Sequence, residues 1–189
     1  MRTAEAKRKA FFDIFPDSCR TSVQDVLTRN PDGSRHQVIP AMISAARAAG
    51  AAEARDLDPK KLINLYGEEV RRAVLDAPDM AGAASALERA AQRGTCYIAS
   101  VTPVDDLAMF LKARRWHTLV REAFGYPRAK DEIVATLLGR HQIAPNRLLV
   151  IGDGVSDANA AARNGTCFHR IQSDADLATI PGLEESQHA

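Results

Sequence analysis

The chain is short of cysteine, has no surplus of charge of either sign and has no long apolar run, and each lack removes a class of function. Cys19, Cys96 and Cys167 are its only cysteines. They are odd in number and far apart, and no two have metal-ligand spacing. That pattern fits reduced thiols in a cytoplasmic protein better than a disulfide framework. Against 24 acidic residues stand 25 basic ones, a net charge of +1, which offers no basic face to nucleic acid or to an anionic membrane. Nowhere do about 18 apolar residues run together, as a membrane span requires, and residues 1–12 lack the apolar stretch of a signal peptide. The expected partners therefore include neither nucleic acid nor membrane. What remains is a composition of 46% hydrophobic and 26% charged residues, typical of a soluble globular protein. With 189 residues, the chain can form one ordinary domain or a compact core with a small cap.

Two textures follow one another along the chain. Residues 1–76 read as helical, with breaks at Pro16, at Asn30-Pro31-Asp32-Gly33 and around Asp56 to Pro59. Thr3, Ala6, Ala10, Phe11 and Ile14 recur at helical spacing, as do Leu62, Leu65, Tyr66, Val70 and Val74. Residues 77–189 read as alternating helices and strands. A helix after Asp79 ends at Gly94, a residue suited to the left-handed turn past a helix end. Cys96 to Ala99 form a buried-type strand, and Thr102-Pro103-Val104-Asp105 read as an N-cap, a proline at N1 and an acid in the first turn. A segment with Trp116 and Phe124 leads to Pro127 and to a helix carrying Ile133, Val134, Leu137 and Leu138. Leu148 to Ile151 and Thr166 to Ile171 make two more strands around a helix from Val155 to Asn164, and a polar tail follows from Ser173. Such alternation predicts an α/β fold with a Rossmann-like parallel sheet flanked by helices, whose ligands sit beyond the carboxyl ends of the strands.

The most informative string runs from Leu148 to Ala161. An apolar strand ends in Gly152-Asp153-Gly154, and a second carboxylate, Asp157, follows at a helix start. The glycines allow a ligand close to the backbone. Two hard oxygen donors with no His or Cys nearby favour Mg²⁺, which takes one or two protein carboxylates and leaves its other positions to water and phosphate oxygens. The plainer reading makes Asp153 a turn residue and Asp157 a helix cap.

This loop resembles the fourth motif of the haloacid dehalogenase superfamily, an apolar strand ending in a GDG or GDS turn, then a second aspartate and an Ala-rich helix. The resemblance extends to the phosphoglycolate phosphatase-like branch with a helical cap. It implies roles for earlier residues in the same order. Ser100, at the end of an apolar strand, looks like the second motif's hydroxyl, with Thr102 as its rival. Lys130 looks like the third motif's lysine. By resemblance, Ser100 and Lys130 are catalytic and phosphate-binding, Asp153 and Asp157 hold Mg²⁺, and Arg128 is either a second cation or a surface residue. The helical region 1–76 matches an α-helical cap and 77–189 the core. The implied function is a Mg²⁺-dependent phosphohydrolase acting on a small phosphorylated metabolite, phosphoglycolate or a sugar phosphate, with a sugar phosphomutase as an alternative. In the cap, Arg20, Arg35, Arg47, Lys60 and Tyr66 could reach a substrate, though each reads more readily as a solvated surface residue.

The superfamily's first motif, a strand followed by Asp-x-Asp-Gly-Thr that supplies the nucleophile, has no counterpart in the 189 residues. The nearest string, Phe11-Phe12-Asp13-Ile14-Phe15-Pro16-Asp17, sits in a helical pattern. A wrong start, a truncated fragment or a true loss would each give this sequence, and the chain itself is expected to be inactive. A non-catalytic phosphate-binding or interaction protein is the competing expectation. By resemblance the first strand lies mid-sheet, so its two neighbours should be left with unpaired backbone groups. Marginal stability, dimerisation or aggregation should follow. Thermal unfolding tests this: a low or association-dependent melting temperature is expected, and a cooperative, high-melting monomer would contradict it.

Overall fold

The structure is a computed structural model and describes residues 4–31 and 33–183. Thr3, Asp32 and the end of the polar tail, all part of the sequence reading, lie outside the described residues. The chain divides into two compact units between Pro78 and Asp79.

The first unit is all helical: α1 (Ala4–Asp13), α2 (Arg20–Arg29), α3 (Arg35–Ala48) and α4 (Pro59–Asp76). Its breaks have local causes. Pro16 opens a 3-10 turn at Asp17–Cys19. Asp58 caps α4, its carboxylate accepting from the amides of Lys60 and Lys61 at 2.7 and 3.4 Å, with Pro59 at the first helical position. Before α3, the Gln37 side chain accepts from the Ser34 amide at 3.1 Å. Val23, Ile39, Met42 and Ile43 fill the interior, and Tyr66 stacks on Phe11 with ring centroids 4.1 Å apart. Burial pushes the Tyr66 phenol far above its ordinary range. Tyr66 is therefore a core residue, not a solvated one. Arg47 donates to the carbonyls of Ala54, Arg55 and Leu57, so its guanidinium fastens the loop before α4.

The second unit alternates α5 (Ala83–Arg93), β1 (Tyr97–Pro103), α6 (Val104–Ala113), β2 (Glu122–Tyr126), α7 (Lys130–His141), β3 (Leu149–Gly152), α8 (Val155–Asn164) and β4 (Cys167–Arg170). The expected α/β class with parallel strands is present. β1 pairs with β2 in parallel, Tyr97 opposite Glu122 and Ala99 opposite Phe124. β3 pairs with β4 in parallel, Leu149 opposite Cys167 and Gly152 opposite Arg170. Among the described residues these are two separate two-stranded ribbons. Phe124, Ile133 and Leu137 form one apolar cluster, against which Tyr97, Ala99 and Leu148 pack. Ala86, Ile171, Ile180 and Leu183 form another with Met80, Ala90, Leu149 and Leu177.

Three local expectations change. β2 was not anticipated, because Glu122-Ala-Phe-Gly-Tyr is short and neither alternating nor uniformly apolar. It forms because Gly125 lies against the turn after β1: a Cβ there would stand 2.5 Å from the Thr102 carbonyl oxygen and 2.6 Å from the Val104 amide nitrogen. α6 starts at Val104 with Pro103 as its cap, in place of Thr102, because β1 stays extended through Pro103 to reach Tyr126 in its register with β2. Gly94 ends α5 in an extended conformation at φ −170°, not a left-handed one, since the chain runs on directly toward β1. Left-handed helix ends occur at Gly165, φ 63° after α8, and at Gln142, φ 51° after α7. Among the described residues, no helix is long and apolar enough to cross a membrane.

Candidate functional site

Of the four residues singled out from the sequence, Lys130, Asp153 and Asp157 stand beyond the carboxyl ends of strands in the second unit, and Ser100 lies within a strand. Ser100 is the middle residue of β1, just after the regular pairing that ends at Ala99, Lys130 opens α7 after β2, Asp153 follows β3, and Asp157 lies in the first turn of α8. Paired parallel strands place their carboxyl ends on one side, and of the four residues Lys130 and Asp157 come into contact there.

The closest contact is between Lys130 and Asp157. The ammonium Nζ donates to Asp157 Oδ1 at 2.7 Å, with the two side chains 15% and 10% exposed. Asp157 Oδ2 accepts from the Gly154 amide at 3.2 Å. Glycine at 152 makes this possible, because a Cβ there would lie 2.3 Å from Asp157 Cγ and 2.5 Å from Oδ2. The glycine before Asp153 thus gives up its side-chain volume to the second aspartate, a role that spacing alone did not reveal. A buried carboxylate has lost most of its hydration, and the ammonium replaces some of it.

Asp153 is exposed. Its carbonyl accepts from Arg170 at 3.5 Å, which leaves the carboxylate outside that contact. Ser100 Oγ accepts from the Thr102 amide at 3.1 Å. A hydroxyl so engaged keeps its own proton to donate elsewhere, and the bond fixes the loop that follows. Arg128 lies in the turn before α7 and is engaged along that helix. Its guanidinium lies 5.2 Å from the Phe124 ring centroid and donates to Thr136 Oγ1 at 3.3 Å.

The start of α7 is tied to the carboxyl-terminal turn of α8 by further polar contacts. Arg163 donates to Asp131 at 2.6 Å, and Asn164 donates to the Asp131 and Ala160 carbonyls at 3.1 and 2.9 Å. The Arg163 hydrogen bond holds the Asp131 carboxyl below its ordinary range. Gly125, packed beneath the turn after β1, is the other residue the sequence reading passed over. Its signal would have been a glycine inside a recognised strand, and that strand was not recognised.

The donor set suits a hard cation only in part. No group of three or more His, Cys, Asp or Glu side chains comes together among the described residues. Asp153 offers an exposed carboxylate, while both Asp157 oxygens already carry a donor. Each carboxylate oxygen has further lone-pair capacity, and Mg²⁺ takes as few as one or two protein carboxylates, so Asp153 is the carboxylate more open to a cation and Asp157 the one already engaged. Asp13, the only other aspartate considered for chemistry, ends α1 in the first unit and pairs with Lys9 at 2.6 Å. It lies on a helix, as its periodicity indicated.

Several solved structures share this fold. A haloacid dehalogenase-like family hydrolase from Xanthomonas campestris superposes with a TM-score of 0.61 at 17% identity, covering 97% of this chain and 84% of that one. A haloacid dehalogenase-superfamily hydrolase of subfamily IA from Geobacter sulfurreducens gives 0.59 at 13% identity, over 93% and 90% of the two chains. A predicted phosphoglycolate phosphatase from Haemophilus somnus gives 0.55 at 17%, over 87% and 80%. No family model and no curated protein matches the chain. The structural likenesses give this chain the haloacid dehalogenase-like fold that its acidic loop suggested.

The Lys130–Asp157 pair should be measurable as a coupling energy. In a double-mutant cycle with Lys130→Met and Asp157→Asn, each single change should destabilise by about 1–3 kcal/mol. The double change should cost less than their sum by about 1 kcal/mol or more. Strict additivity in denaturant unfolding would show that the two do not interact.

Proposed function

We propose that the second unit is the phosphoryl-binding core of a haloacid dehalogenase-like phosphohydrolase that acts on a small phosphorylated metabolite with Mg²⁺. The reading is supported chiefly by the Lys130–Asp157 contact of 2.7 Å, with Asp153 just beyond β3 and Ser100 within β1. A lysine held by one carboxylate has two remaining N–H donors. With the Ser100 hydroxyl they would bind two oxygens of a phosphoryl group, whose charge redistributes as its ester bond weakens. Asp157 acts through Lys130 and fixes its position. Asp153 would hold the metal directly, with Asp157 beside it. When bound, Mg²⁺ would neutralise phosphoryl charge and orient the group. The first amides of α8 add partial positive charge at the same end. The helical region 1–76 is read as the cap that excludes water and selects the substrate. The likeness to a predicted phosphoglycolate phosphatase supports a small organic phosphate as the substrate class. A cytoplasmic location is part of the same reading.

Neither Asp153 nor Asp13 is read as the superfamily's nucleophile. Among the described residues, Asp153 is the acid that directly follows a strand end in this site, and it is assigned to the metal, while Asp13 lies on a helix in the other unit. We read this polypeptide as binding phosphate without completing the covalent step. That observation favours the second reading, a non-catalytic phosphate-binding protein, for the chain taken alone.

Both parts can be tested together. A small phosphate monoester with Mg²⁺ should raise the melting temperature by linkage, and Asp153→Asn should abolish the shift. Hydrolysis of an aryl phosphate should stay at background. Turnover abolished by Asp153→Asn would overturn the inactive reading, and the absence of any ligand-induced shift would overturn the phosphoryl site.

A further inference from the structure

Lys130 lies beyond the carboxyl end of β2, whereas the amino ends of β1 and β2 border a separate cavity of about 290 Å³. One bank is the segment that joins α5 to β1, and the other is the segment that leads into β2. The Arg121 amide donates to the Cys96 carbonyl at 2.9 Å, one step before the Tyr97–Glu122 pair that opens the ladder. That bond joins the two banks. Thr118 Oγ1 ties down the second by donating to the Arg115 carbonyl at 3.1 Å. The cavity is therefore preformed, as small-molecule sites usually are. At ~3.3 Å per strand residue, Cys96 stands roughly 13 Å from Ser100 along β1, so this space and the phosphoryl site are distinct.

The lining carries charge of one sign. Ala91, Leu119 and Val120 supply apolar surface, Thr95 a hydroxyl, Cys96 a thiol and Arg121 a guanidinium, and no carboxylate lines the space. Elsewhere in the second unit Arg114, Arg140 and Arg163 each lie on a carboxylate. The Arg121 guanidinium and the Thr95 hydroxyl have no hydrogen-bond or ion-pair partner among the described residues. Burial pushes the Cys96 thiol above its ordinary value, so it stays neutral near neutral pH and sets no negative charge against an anion. The carboxyl terminus of α5 reaches the rim at Gly94, and its partial negative charge disfavours a doubly charged guest. One guanidinium in that setting suits a single carboxylate, which its fork can hold through two parallel hydrogen bonds. At ~30 Å³ for an atom the size of a water molecule, the space takes roughly ten non-hydrogen atoms.

We propose that this cavity binds a small organic monocarboxylate with an apolar body, at a site separate from the phosphoryl site. The carboxylate lies on the Arg121 guanidinium and accepts from the Thr95 hydroxyl, and the apolar body covers Ala91, Leu119 and Val120. A ligand seated there bridges the amino ends of β1 and β2, and so braces the ribbon that leads to Lys130. The proposal does not depend on the phosphoryl reading.

The test follows the backbone amide resonances of the full chain by NMR during titration with hexanoate and, separately, with benzoate. At least one should give saturable shifts at Thr95, Cys96 and Leu119 to Arg121, with Kd in roughly the millimolar range expected of so few atoms, and no comparable shifts at Gly152 to Asp157. Hexanamide and benzamide keep the shape and lose the charge. Each should bind about tenfold more weakly than its acid, or worse, a comparison that needs no variant to fold. Arg121→Gln should weaken the acids by a similar factor, whereas Arg147→Gln, at an exposed arginine outside the cavity, should not. Saturation by neither acid, equal binding of acid and amide, unchanged affinity in Arg121→Gln, or shifts confined to Gly152 to Asp157 would each overturn the proposal. Orthophosphate titrated into the same sample separates the two sites. Its shifts at Ser100, Lys130 and Asp153 report the phosphoryl site alone, and tighter saturation of the Thr95 and Arg121 resonances by orthophosphate than by either acid would overturn the carboxylate assignment.

Discussion

An ammonium and a carboxylate, held together between the first turns of two adjacent helices, set the relation of the two parallel ribbons in this protein. Lys130 belongs to the ribbon of β1 and β2, and Asp157 to that of β3 and β4. No strand-to-strand hydrogen bonding joins the two ribbons among the described residues, so helix packing and this pair connect them. The pair is largely withdrawn from water. Removing either partner would strand a charge in poor solvation, which costs more than the pair's own net contribution. The same placement gives it chemical use, because a lysine fixed by a carboxylate presents its remaining protons in set directions.

Glycine makes that geometry possible at two points. At Gly152, absence of a side chain lets the Asp157 carboxyl sit against the β3 backbone. At Gly125, it lets β2 close under the turn that follows Ser100. In both places backbone and a polar group approach nearer than any Cβ would permit, so local packing and the arrangement of the site are one constraint. The apolar residues Val101 of β1 and Ile151 of β3 stay partly exposed.

Much of this was legible in the chain itself. The acidic loop from Gly152 to Asp157 announced its strand, its turn and its helix, because an apolar run, a glycine bracket and an Ala-rich stretch each carry a strong local signal. The helical character of residues up to Asp76 was visible for the same reason, in periodicity and in breakers such as Pro16 and Pro59. β2 was not legible: five residues with two aromatics, a glycine and a glutamate carry no clear period, and tertiary contact with the turn after β1 decides their state. Nor could the sequence show that Asp157 turns its oxygens toward Lys130 and the Gly154 amide. That choice depends on α7 lying beside α8, a relation between segments well separated in the chain. The first unit's Arg47 and Tyr66 read as possible surface groups, yet one ties down a loop and the other stacks in the core.

The central claim is that Lys130, held by Asp157, binds a phosphoryl group together with Ser100. Titration of the full chain with inorganic phosphate in the presence of Mg²⁺, followed by calorimetry, tests it most directly. Saturable binding that falls at least tenfold in Lys130→Met and falls also in Ser100→Ala is the predicted result. Affinity unchanged by both substitutions would contradict the account.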